Sequence, residues 1–117
     1  MLNTFDLFNQ PAYALAEHGA NLAATKAEND SNGWKEEAWR LLNVYVDECG
    51  SQPFQAEDFR QWAYEKSLPK PVNERAFGWL FIKAAKEHLL RKYGLGPVRN
   101  AKAHSANATI WIKKFVD

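Results

Sequence analysis

Apolar positions recur at helical spacing in three stretches of the chain and alternate in a fourth. In "WKEEAWRLLNVYVDEC", Trp34, Ala38, Leu41, Leu42, Tyr45 and Cys49 fall on one side of a helix. Glu36 and Glu37 occupy its first turn, where the helix dipole favours acids, and Gly50 is a natural stop. The extended piece "QPFQ" follows. "AEDFRQWAYEKSL" then predicts a second helix, with Phe59, Trp62, Ala63 and Lys66 on one side. "PKP" ends it, because a residue before proline is driven out of the α region. Asn73 is a good N-cap for a third helix running to about His88, with Glu74 at its positive end. A strand is expected from near Leu89, a long loop over residues 94–108, and a second strand in "TIWIKKF", which is β-branched, aromatic and alternating.

Ahead of these lies "PAYALAEHGANLAATKA", alanine-rich and helix-prone, with Pro11 suited to a first helical position. Its bulky apolar side chains are few, so residues 1–30 read as a helical arm, broken from the rest at "ENDSNG". Leu15 and Leu22, seven apart, make a narrow strip suited to the core or to a second copy, and a homodimer through this helix is expected. Residues 31–117 then form one domain. Helix, short strand, helix, turn, helix, strand, loop, strand is the order of a winged helix-turn-helix. The expected fold is mainly α with a small β-hairpin: three helices bury a core and the hairpin, or wing, closes its open side. Gly78, one turn into the third helix, reads as a place where another helix approaches closely.

The residues also carry a resemblance. Trp34 and Ala38, "FQAEDF", "LPKPVNERAFGWLFIKAAKEHLL", His104 and Trp111 together resemble small phage- and prophage-encoded proteins of winged-helix type. The resemblance covers residues 34–115, and Arg75, Ala76 and Gly78 match its third-helix motif. It implies DNA binding by analogy, in regulation, replication or recombination, although winged helices also serve as protein-binding modules.

Charge sharpens that expectation. The net charge is +1, but residues 69–117 hold ten Lys and Arg against three Asp and Glu, whereas the preceding residues are acidic. On a helical wheel with Arg75 at zero, Lys86, Trp79 and Lys83 fall at about 20°, 40° and 80°, opposite the apolar side. A third helix that enters a major groove would bring Asn73 and Arg75 to base edges and Lys83 and Lys86 to phosphates. Lys70 precedes that helix, and Arg99, Lys102 and His104 lie in the wing loop, where minor groove or backbone is within reach. The expected partner is double-stranded DNA. The competing readings stay open: solvated lysines, a Trp79 packed on a neighbouring helix, an Arg75 held by a carboxylate, and a module that binds protein through Trp79 without DNA.

Other chemistry finds little support. The three histidines are far apart without metal-ligand spacing, and Cys49 has no histidine near it in the chain. No phosphate-binding glycine loop is present; no catalytic residue, metal or cofactor is expected. With one cysteine, no long apolar run and no basic, apolar leader, a reducing cytoplasm is the expected setting, away from membranes.

Overall fold

The computed structural model describes the backbone of residues 4–97 and 107–115, and the side chains of 17–97 and 108–115. Four helices and three strands follow in the order α1 (Thr4–Asp30), α2 (Trp34–Cys49), β1 (Phe54–Gln55), α3 (Ala56–Glu65), α4 (Ala76–Lys86), β2 (Leu90–Pro97) and β3 (Asn107–Lys113). The architecture is mainly helical, with a small antiparallel sheet of order β1-β3-β2.

The core is aromatic. Phe59 of α3 is fully buried and meets Tyr45, Phe77 and Phe81 edge-on. Trp34 packs against Phe77 at 5.6 Å, and Phe81 meets Trp111 of β3 at 5.4 Å. Such tilted pairs add to the gain from burial alone, by about 0.5–1.5 kcal/mol each. The sheet closes one side: Phe54 of β1 and Lys92 of β2 both pair with Trp111. A bulge between Lys92 and Gly94 bends β2, and its pairing runs on to Pro97 opposite Asn107. The hairpin therefore takes in both ends of the segment expected as loop.

Several helix boundaries differ from expectation: Pro11, expected at a first helical position, lies inside α1, and the other differences have local reasons. Helix α1 continues through the expected break to Asp30 and turns only over residues 31–33. There the Glu28 carboxylate accepts the backbone N–H groups of Gly33 (2.7 Å) and Lys35 (3.0 Å), so the last turn of α1 caps the start of α2. The bond from Lys35, then that from Gly33, holds the Glu28 carboxyl below its ordinary pKa. Helix α4 begins at Ala76, not at Asn73. Asn73 still caps, its Oδ1 accepting from the Arg75 N–H at 2.9 Å, but it caps a tighter lead-in turn of i→i−3 bonds. Helices α3 and α4 stop without help from proline. Ser67 N–H bonds Tyr64 O and Leu68 N–H bonds Ala63 O; His88 and Leu89 repeat this pattern on Ala85 and Ala84. That is a Schellman closure, with Ser67 (φ 72°) and His88 (φ 61°) in the left-handed position that glycine normally fills.

The largest departure concerns α1. Ala20, Ala23, Ala24 and Ala27 are buried, and the last three belong to the same core cluster as Trp34, Phe59 and Phe77. The segment expected as an arm shares its core with residues 34–115. Small side chains are the means: a Cβ placed on Gly78 of α4 would stand 3.3 Å from the Ala20 Cβ. Leu22, from the expected dimer strip, is 58% exposed, and Leu15 lies outside the described side chains. Trp34 ties the turn before α4 to this core by donating its indole N–H to Pro69 O at 2.8 Å.

Two substitutions test this packing. Gly78→Leu places a branched side chain where α1 lies, and is expected to destabilise by about 1–3 kcal/mol. Ser67→Gly relieves a left-handed serine and is expected to stabilise by about 1 kcal/mol. Thermal and urea denaturation measure both. An unchanged midpoint for Gly78→Leu would mean that α1 does not hold this position.

Candidate functional site

The expected basic stripe does not form a free face. Helix α4 turns Ala76, Phe77, Leu80, Phe81 and Ala84 to the core, as its apolar pattern requires. Helix α1 packs along part of the opposite side. Ala20 stands over Gly78, Gly19 lies against the Arg75 guanidinium, and Lys86 pairs with Glu17 of α1 at 2.9 Å. Lys83 pairs with Glu87 and sits over the Trp39 ring of α2, 4.7 Å from its centroid. Trp79 is half-buried, not exposed, and carries Lys35 of α2 at 5.2 Å. Core, α1 and α2 thus pack around much of α4, while Arg75, Gly78, Ala85 and Lys86 stay exposed.

The remaining candidates separate. Lys70 is exposed near the Tyr64 ring, at 5.9 Å. The Asn73 side chain is engaged by the Arg75 backbone, and so is turned inward on its own loop. Arg75 is exposed and has no ion-pair partner among the described residues, so the competing reading of an Arg75 held by a carboxylate gains no support there. Glu74, its neighbour, serves others. Tyr64 donates its hydroxyl to Glu74 at 2.8 Å, and Arg60 approaches the same carboxylate at 3.6 Å. Burial, followed by this bond to Glu74, pushes the Tyr64 hydroxyl above the ordinary tyrosine pKa. Arg99, Lys102 and His104 lie outside the described residues.

Arg75 instead belongs to a cleft of about 750 Å³ between α1, α3, α4 and the hairpin. Phe77, Phe81, Ile82, Ala85 and Trp111 form its walls, and Arg60, Arg75, Lys86 and Lys92 stand along it with Glu17 and Glu74. Lys92, Arg60 and Glu74 carry no sequence signal that sets them apart as site residues. They come together through tertiary packing. Among the described residues, no three His, Cys, Asp or Glu side chains are grouped to hold a metal ion. Cys49 is half-buried, and desolvation pushes its thiol pKa up, which makes it a weaker nucleophile. No described helix is long and apolar enough to cross a membrane. The chain matches no family model, and no curated protein or solved structure is significantly similar to it.

The assignments of Arg75 and Glu74 are separable by stability. Arg75→Ala is expected to shift unfolding by no more than about 0.5 kcal/mol, as at an unpaired surface position. Glu74→Ala removes the acceptor of Tyr64 and is expected to cost about 1 kcal/mol. Thermal denaturation of the two variants compares them; a larger loss for Arg75→Ala would reinstate it as a structural residue.

Proposed function

We propose that the chain is a protein-interaction module of the winged helix-turn-helix type, related in pattern to phage- and prophage-encoded small proteins. One observation carries this reading: α1 packs on part of the side of α4 that a DNA-reading helix would present, at Gly78, Arg75 and Lys86. A module of this kind uses the fold as a rigid frame and presents a surface between its elements. The cleft beside α4 is such a surface, with mostly apolar walls and charges at its rim.

DNA binding stays as the second reading, on a different surface. Arg91 and Lys92 of β2 are exposed and have no ion-pair partner among the described residues. They stand on the hairpin that leads to Arg99 and Lys102, where a wing meets a phosphate backbone. In that case the hairpin and Arg75 supply the contacts, and α4 does not enter a groove.

A titration with mixed-sequence duplex at low and moderate salt separates the two. The module reading expects no measurable binding even at low salt. Tight binding with a log–log salt slope of ~−0.9 per phosphate neutralised, reduced in Arg91→Ala and Lys92→Ala, overturns it in favour of the hairpin.

A further inference from the structure

The cleft holds an imbalance of charge that narrows what fits it. Two of its cations are matched: Lys86 by Glu17 at 2.9 Å, and Arg60 by Glu74 at 3.6 Å. Arg75 and Lys92 have no carboxylate partner among the described residues. They approach the cleft from different elements, Arg75 from the start of α4 and Lys92 from β2. The wall between them is apolar, built from Phe81, Ile82 and Trp111. Ala85 is exposed on α4 and leaves room on the same side.

We propose that this cleft binds a short acidic segment of a partner protein. A bulky apolar side chain of that segment packs on the Phe81, Ile82 and Trp111 wall, and its carboxylates meet Arg75 and Lys92. The proposal rests on the reading of the chain as an interaction module and names the chemistry of its partner. Two features favour a peptide over a nucleic-acid strand. A phosphodiester backbone laid on an apolar wall loses hydration with nothing to replace it. The rim also carries Glu17 and Glu74, which repel a continuous polyanion but tolerate discrete carboxylates placed opposite Arg75 and Lys92. Arg75 suits a carboxylate further, because its planar fork can take both oxygens at once.

The test uses the purified full chain and a display library of random linear peptides. Enriched peptides are synthesised with a fluorescent label and titrated by polarisation, with mixed-sequence duplex titrated in parallel. The expected result is enrichment of Asp or Glu beside Leu, Ile, Phe or Trp. Affinity for those peptides should fall by about tenfold or more in Lys92→Glu, from charge reversal at the rim. It should fall similarly in Ala85→Trp, which fills the cleft. Melting curves accompany each variant, and Arg75→Gln supplies the charge comparison if Lys92→Glu is destabilised. Peptides that bind wild type and all three variants equally overturn the cleft assignment and leave the module reading in place. Failure to enrich any acidic, apolar sequence overturns the assignment as well. Duplex binding by wild type that Lys92→Glu abolishes, without peptide enrichment, overturns both the assignment and the module reading.

Discussion

The arrangement of the whole chain depends on how closely α1 and α4 approach. Gly78 and Ala20 meet where larger side chains would hold the helices apart, and a Cβ on Gly78 would come within 3.3 Å of Ala20. Each alanine on α1 buries little surface, so no one of them dominates. Their combined effect is geometric. A helix faced with alanine lies almost backbone to backbone on its neighbour, and the many small dispersion contacts that result need no bulky residue. The Glu28 carboxylate completes the joint by bonding the first N–H groups of the next element. With α1 in this place, α4 becomes a central helix of the fold.

This is also where the sequence stops being legible. The amphipathic patterns of α2 and α3 read correctly, because each has a face of large apolar residues and a polar one; β3 forms where its β-branched, aromatic run predicts a strand, but its adjacent Trp111 and Ile112 are both buried. Trp34, Ala38, Leu41 and Leu42 are buried as their spacing requires. A run of alanines gives no such contrast. Judged by side-chain bulk, residues 1–30 carry too little to form a core, yet Ala24 and Ala27 are almost fully buried. Gly78 held the missing signal: a glycine inside a helix, expected to admit a close neighbour, has α1 as that neighbour. The wheel for α4 likewise separated core side from outer side correctly. It could not say that part of the outer side would be covered, since that depends on residues some sixty positions away in sequence, such as Glu17 opposite Lys86, 69 residues apart.

The helix ends show the same division between local and distant causes. Proline marks the region after α3, but hydrogen bonds of Ser67 and Leu68 end the helix sooner. Leu68 is buried, and the closing motif brings its side chain back to the core. A left-handed serine is tolerated because that burial offsets its backbone cost. The same closure at His88 sends the chain directly into β2, and so sets the angle at which the hairpin leaves α4 and the width of the cleft beside it.

Charge follows from these placements. The chain segregates acids toward its first part and bases toward its last, a pattern that in an extended molecule would offer a long cationic segment to a polyanion. Folding returns the two parts to each other. Glu17 meets Lys86, and Asp47 of α2 meets Lys113 of β3 at 3.1 Å. Exposed pairs of this kind contribute little to stability, about 0–1 kcal/mol each. Their consequence is local: in the basic half they match Lys83, Lys86 and Lys113 with carboxylates. Among the described residues of that half, the cations left without a carboxylate are Lys70, Arg75, Arg91, Lys92 and Lys114. Of these, Arg75 and Lys92 stand beside the apolar wall of the cleft. On the proposed reading, a surface of that composition would discriminate by matching a few discrete charges to one apolar contact.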